Sequence, residues 1–340
     1  MNQPNVLFAF KNPKVDDPIA CHSGMGVTAS NTVLSLREQR IQADYRPVAN
    51  GEYLWAKLAG EWSDITHVVL CAPYIDSVFL SRLVRNYPKV RFALVYHSNL
   101  GFLAVDRFAA QSLPAFMDLE AECPNFTVAA NCAELAVGIT EACGRTLTYL
   151  PNVYHLPHVT RRLRTPWIAP LPLHVGLFGA ARVLKNWLTA ATATMILERK
   201  AGVDVFLHVN TKRDEGAESM RASMDKLLGL NPRVHLVEVP WLSADDFRRY
   251  LYGMDLCLQP SFTETFNNVT ADSCAAGVPS VVSDAIAWAP PEWMAKADSA
   301  TGIANVAWQV LRDKKATVKG WKALDTHNQA AIAAWQNWLR

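Results

Sequence analysis

No Cys-x-x-Cys pair occurs in this chain, and its seven cysteines (Cys21, Cys71, Cys123, Cys132, Cys143, Cys257 and Cys274) are scattered, mostly in apolar surroundings. An odd, unclustered set argues against a disulfide framework or a zinc site and for reduced thiols in a core. No run of about 18 uninterrupted apolar residues is present, so no integral membrane segment is expected. A strand pattern begins at Asn5, almost at the N-terminus, so no secretory leader is expected and a cytoplasmic location is. Charge is scarce and balanced: 19% of residues are charged and the formal net charge is +2. Both halves share that balance, so neither is an electrostatic attractor for nucleic acid or an anionic membrane. Repeats and low-complexity tracts are absent too.

What remains is a chain of 340 residues, half of them hydrophobic, with room for two domains that each bury a core. Short β-rich runs alternate with helical patterns, which predicts α/β architecture with parallel sheets and crossover helices. In the first half the strand patterns are Val6–Phe10, Ala43–Val48, His67–Cys71, Arg91–Tyr96, Thr127–Ala130 and Leu147–Leu150. In the second half they are His174–Phe178, Val203–Val209, Val234–Val237, Leu256–Leu258 and Ser280–Val282. The clearest helix start is Ser30, read as an N-cap for a helix over Asn31–Gln42. Residues Leu156–Leu173, rich in proline and carrying Arg161, Arg162 and Arg164, fit neither period and read as a linker. Two Rossmann-like domains follow, 1–165 and 166–324. A last amphipathic helix, 325–340, bears Ile332, Trp335 and Trp338. Its polar face has too few cations for a membrane-surface helix, so it is expected to pack on the N-terminal domain.

The most informative segment runs from Pro260 to Pro279. An apolar strand ends at Pro260-Ser261, a carboxylate follows at Glu264, a helix brings a second at Asp272, and Gly277-Val278-Pro279 leads into another strand. Ligands of open parallel sheets bind at strand ends of this kind, where two carboxylates can accept hydrogen bonds from neighbouring hydroxyls. Upstream, Val175-Gly176-Leu177-Phe178-Gly179 leads to Arg182 and Lys185-Asn186. A glycine-ended strand lets backbone approach a phosphate, and a following helix N-terminus adds a positive field. Arg182 and Lys185, three apart, would share one face of a helix, either toward a diphosphate or toward solvent. Trp241 lies before Ser243, an N-cap whose first turn holds Asp245 and Asp246. It is read either as flanking a nucleotide base or as a rim aromatic. In the first half, Gly24 and Gly26 of Ser23-Gly24-Met25-Gly26 lie between the first strand and the first helix, without the third glycine of a dinucleotide fingerprint. His97-Ser98-Asn99 sits at the C-terminal end of a strand, where a ligand contact and a structural hydrogen bond are both open to it. His155 and His158 are spaced as a metal pair, but no carboxylate is near them in sequence and no metal site is expected.

Taken in order, these motifs resemble the GT-B glycosyltransferases of the retaining family-4 type. The Glu264–Asp272 spacing is similar to that family's E-x7-E element, with aspartate for the second glutamate and Asn267 where glycine is frequent. The cation spacing is also shorter than the family's usual interval. The resemblance implies two Rossmann-like domains across a cleft and retaining transfer from a UDP- or GDP-linked sugar to a hydroxyl. Glu264 would bind sugar hydroxyls, and Thr265, Phe266 and Asn267 would present backbone N–H groups to the sugar or diphosphate. Asp272 would hold the ribose, Arg182 and Lys185 the diphosphate, and Trp241 the base. His97, Asn99, Gly24 and Gly26 would approach the donor from the other domain, and Pro151-Asn152 would close that domain. With no Asp-x-Asp in the sequence, a metal-independent reaction is expected, with the nucleotide sugar as co-substrate and no cofactor. Acceptor candidates are a saccharide, a small metabolite or a hydroxymethylated base in DNA, as in phage-type enzymes. For DNA, Lys11, Lys14, Arg82, Arg85, Arg107 and Arg161–Arg164 would line the groove; solvated surface is the other reading. A sugar-nucleotide epimerase and a non-catalytic sugar-nucleotide-binding protein share the architecture. No oligomeric state is implied.

Overall fold

The computed structural model describes residues 3–15, 24–156, 167–210 and 218–340. The chain divides into two compact units, residues 1–157 with 328–340, and residues 158–327. Each is built on one parallel sheet.

The first sheet contains β1 (Asn5–Lys11), β2 (Gln42–Val48), β3 (His67–Leu70), β4 (Arg91–Tyr96), β5 (Phe126–Ala130) and β6 (Thr148–Tyr149), in the order β2-β1-β3-β4-β5-β6. Every neighbour pair is parallel. Strand side chains alternate between faces, and the alternation assigns two cores. Leu7 and Ala9 join Val68, Leu70, Phe92 and Leu94 on one face, under the helices Gly51–Ala59, Ser77–Asn86 and Arg107–Glu122. Val6, Phe8 and Phe10 join Val69 and Val95 on the other face, under the helix Gly24–Glu38 and the end of the last helix, Ala316–Leu339. Pro47 is tolerated in β2 because that strand is an edge and needs no second ladder.

The end of the last helix is fastened by polar as well as apolar contacts. Trp335 packs on Phe8 with ring centroids 5.1 Å apart, and its indole N–H donates to the Pro151 carbonyl at 2.8 Å. Asn328 brackets Tyr154, accepting its N–H at 2.9 Å and donating to its carbonyl at 2.7 Å. Pro151-Asn152, read from sequence only as a closing turn, is thus the ledge on which this helix end rests.

The second sheet contains β7 (Leu173–Leu177), β8 (Val205–Asn210), β9 (Val234–Val239), β10 (Leu256–Gln259) and β11 (Ser280–Val282), in the order β11-β10-β7-β8-β9. The chain leaves β7 toward β8 and β9, then returns past β7 to β10. Its topological switch point therefore lies between β7 and β10, where a crevice opens beyond the strand ends.

All eleven strand patterns correspond to strands, but the first helix differs from expectation. It runs over Gly24–Glu38, so Ser30 lies inside it rather than capping it. Thr28, Ala29, Thr32, Val33 and Leu36 are among the residues of its buried side. Gly24 and Gly26 are consequently helical, not a loop. A side chain at Gly24 would meet nothing within 4 Å, so no packing among the described residues requires glycine there. Ser23, Asp16, Asp17, Cys21, His158, Arg161, Arg162 and Arg164 lie outside the described residues, as does most of the expected linker.

Replacing Trp335 with alanine removes a buried aromatic and leaves the Pro151 carbonyl without its donor. A loss of about 3–5 kcal/mol is expected, read as a lower urea midpoint with an unchanged far-UV spectrum.

Candidate functional site

The crevice at the ends of β7 and β10 is formed by two loops that are tied together. The β7 loop continues through Gly179, whose φ of +113° is open to glycine and strained for other residues. The Gly179 N–H donates to Asn210 Oδ1 at 2.8 Å, which fixes the turn to the end of β8. Arg182 follows in extended conformation, then a 3-10 turn over Val183–Lys185, and the helix starts only at Trp187. Arg182 and Lys185 therefore do not share a helix face, in contrast to the expectation from their spacing. The break has a visible cause in Asn186, which is left-handed at φ +60° and buried. Its amide donates to the carbonyls of Pro260 at 2.9 Å and Ala297 at 2.6 Å.

The β10 loop answers with Phe262, whose N–H donates to the Leu184 carbonyl at 2.9 Å. Between these ties, Lys185 Nζ pairs with Glu264 Oε1. The same carboxylate oxygen accepts from Ser261 Oγ at 2.8 Å and Asn267 Nδ2 at 3.0 Å. The two charged side chains are only 17% and 11% exposed. Three donors on one oxygen supply the satisfaction that a buried carboxylate needs. Ser261 is held in turn, its carbonyl accepting from Ser283 Oγ at 2.5 Å.

Glu264 precedes the following helix rather than starting it. The helix is Asn268–Ala275, and Asn267 caps it from a left-handed conformation. Phe266 does not offer its ring to a ligand: it is buried and stacked on Trp288 at 5.4 Å, and its carbonyl accepts the Trp288 indole N–H at 2.6 Å. Thr265 lies between Glu264 and this anchor. Asp272 lies against Arg248, with Nε to Oδ1 3.7 Å. Arg248 also reaches Asp245 at 3.1 Å. It belongs to the helix Ala244–Leu251, whose N-cap Ser243 accepts from the Asp246 N–H at 3.2 Å. Asp246 pairs with Arg249 at 2.7 Å, so both aspartates serve that helix. Trp241, just upstream, is 41% exposed.

In the first unit, Asn131 Nδ2 contacts His97 Nδ1 at 3.0 Å and Asn152 Oδ1 at 3.3 Å. An amide nitrogen can only donate, so Nδ1 carries the lone pair and the ring proton sits on Nε2. Burial holds the His97 ring neutral, lowering its pKa to about 4. Asn99 is a helix cap, accepting the Phe102 N–H at 2.9 Å before the short helix Leu100–Leu103. His155 meets a carboxylate that its sequence neighbourhood lacks, Glu38 at 2.9 Å. Of the candidate basic groove, Arg85 is paired with Glu122 at 2.6 Å.

Reading the sequence missed Asn131, Gln259, Ser261 and Arg248. Each is an ordinary polar residue whose role depends on a partner that folding supplies. Only position marked them, since Gln259 and Ser261 flank a strand end and Asn131 follows one.

Among the described residues no group of three or more His, Cys, Asp or Glu side chains is placed to hold a metal ion, and no helix is long and apolar enough to cross a membrane. Residues 172–313 match the family model of the group 1 glycosyl transferases. No curated protein sequence matches the chain. Among solved structures, sucrose-phosphate synthase from Thermosynechococcus elongatus superposes with a TM-score of 0.66 at 13% identity, over 98% of both chains. HepE of Anabaena, in complex with UDP and glucose, gives 0.62 at 15% identity, again over 98% of both chains. A mutant TarM of S. aureus, in complex with fondaparinux, alpha-GlcNAc-glycerol and UDP, gives 0.62 at 12% identity. That match covers 85% of this chain and 58% of the TarM chain. The chain thus has the GT-B fold, and residues 172–313 of its second unit are similar to the group 1 glycosyl transferases.

Three histidines set an acid limit on this architecture. His67 and His208, like His97, have pKa values lowered to about 4, chiefly by burial, with Arg91 adding to the effect at His67 and His174 at His208. Depressed folded values mean that the unfolded chain binds more protons between about pH 6.5 and 4, so stability is lost as pH falls through that window. The His97→Asn variant should show a smaller drop in melting temperature between pH 7 and pH 5 than the wild type.

Proposed function

Proceeding from a GT-B fold whose second unit is similar to the group 1 glycosyl transferases, we propose that the protein transfers a sugar from a nucleoside-diphosphate sugar to a hydroxyl acceptor with retention of configuration. The observation that carries this reading is the Lys185–Glu264 pair at the switch point between β7 and β10, within the segment that matches the family. Glu264 receives the sugar hydroxyls. Lys185, with Arg182, offsets the charge that develops on the departing diphosphate. The N-terminus of the helix Asn268–Ala275 adds a positive field to the same place. Asp272, steadied by Arg248, takes the ribose, and Trp241 flanks the base. His97, neutral and protonated on Nε2, donates to an oxygen of the acceptor. The reaction uses no metal, and a departing phosphate oxygen takes the acceptor proton on the face from which the sugar leaves.

The donor is UDP- or GDP-linked, and the acceptor is a saccharide, a small hydroxylated metabolite or a hydroxymethylated base in DNA. UDP bound to HepE and to TarM favours UDP. The reading is tested by following release of UDP or GDP from a panel of nucleotide sugars, without acceptor and then with glycans or hydroxymethylated DNA. Turnover is expected with at least one donor. Nucleotide binding without turnover points to a binding protein, and interconversion of the free nucleotide sugar points to an epimerase.

Glu264→Gln and Lys185→Ala should each lower kcat/KM by about 100-fold or more, the scale on which removal of one transition-state contact acts. Circular dichroism should show both variants folded. Wild-type turnover in either one sinks the assignment.

A further inference from the structure

Asn267 meets three demands that other residues meet only in part. Its φ is +65°, in the left-handed region where glycine is at ease and asparagine is the next most tolerated. Its Oδ1 accepts the Thr270 N–H at 2.8 Å and caps the following helix. Its Nδ2 donates to Gln259 Oε1 at 3.0 Å and to Glu264 Oε1 at 3.0 Å. Glycine tolerates the turn but neither caps nor donates from a side chain, and serine caps but rarely turns left-handed. Aspartate caps and turns, yet has no donor for a carboxylate. The side chain is only 6% exposed, so these bonds are not in competition with bulk water.

Gln259 extends the chain of amides. It is 2% exposed at the end of β10, and its Nε2 donates to the Phe178 carbonyl at 3.0 Å, just beyond β7. A continuous path therefore runs from the β7 backbone through Gln259 and Asn267 to Glu264 Oε1. The Asn267 amide nitrogen donates both ways, to Gln259 and to Glu264, so the path runs outward from Asn267 to the carboxylate on one side and to the Phe178 carbonyl on the other.

We propose that Asn267 is a positioning residue: its amide, fixed by Gln259, holds Glu264 through Oε1 in the orientation in which the carboxylate meets the donor sugar. This rests on the reading of Glu264 as the sugar-binding carboxylate. Buried rotamers locked by surrounding hydrogen bonds hold a group in its reactive geometry, and small misplacements are costly in rate.

The test uses the full chain and has two arms. In the first, melting temperatures are measured for Asn267→Asp, Glu264→Gln and the double variant. Asn267→Asp keeps the cap and the left-handed turn but sets a second carboxylate against Glu264. It should melt at least about 3 °C below wild type at pH 7.5. Crowded carboxylates have raised folded pKa values, so this deficit grows as pH rises and shrinks toward pH 5. Glu264→Gln in the same chain returns a donor to the pair and should recover most of the loss. Additive shifts in the double variant overturn the contact. In the second arm, UDP-glucose, UDP-N-acetylglucosamine and GDP-mannose are the probes. Asn267→Gly, which keeps the turn, should lower kcat by about tenfold or more with donor KM within about threefold of wild type. Wild-type kcat in that variant overturns the positioning role even if the sugar-transfer reading stands. A wild-type protein that turns over no donor, with thermal coupling intact, overturns the sugar-transfer reading and leaves the amide chain in place.

Discussion

The half-buried ion pair between Lys185 and Glu264 is the constraint from which the rest of the second unit's site follows. Two charges taken largely out of water are tolerated only when their geometry is good and their remaining hydrogen-bonding capacity is met. Ser261 and Asn267 meet it from one side of the carboxylate. The loops that bring the charges together are held by Asn186 on the Pro260 carbonyl and by the Phe262 N–H on the Leu184 carbonyl. Both loops turn through asparagines at positive φ, Asn186 and Asn267, each next to or near the charged residue it serves. Asparagine combines a tolerance for that backbone with an amide that bonds locally, a pairing that glycine does not offer.

Topology places this cluster. The second sheet has β7 at its centre, and the chain builds outward on one side before returning to build β10 and β11 on the other. Loops from β7 and β10 then leave the sheet side by side, at the position where open parallel sheets bind ligands. Phe266, stacked on Trp288, pins the far side of the β10 loop, so the segment that holds Glu264 is fixed at both ends. The family match over 172–313 and the GT-B likeness of the whole chain give this position its chemical context.

The first unit shows a different balance. The central strands of its sheet are buried on both faces, and its C-terminal helix end is held by an indole on a carbonyl as well as by apolar area. His97 is organised by Asn131 and Asn152, from the ends of two other segments, which together choose its tautomer. Asn152 therefore serves the histidine as well as the turn. The glycines at 24 and 26 belong to the first helix rather than to a loop before it.

Much was legible in the sequence itself. Strands such as Val6–Phe10 and Val203–Val209 announce themselves because a strand buried on both faces must be almost wholly apolar. The spacing of Glu264 and Asp272 after a strand end was enough to indicate the family and its fold, and turn chemistry marked the helix that starts at Ser243. Less visible were the points where a polar side chain finds its partner. The break of the Arg182–Lys185 spacing by Asn186, the capture of Asp272 by Arg248, and the anchoring of the amide path by Gln259 on the Phe178 carbonyl each depend on residues 24 or more positions apart. Local sequence determined the elements, because backbone periodicity and burial are properties of neighbours along the chain. Tertiary structure alone decided which donor meets which acceptor, because a hydrogen bond depends on a few tenths of an ångström between residues that only folding brings together.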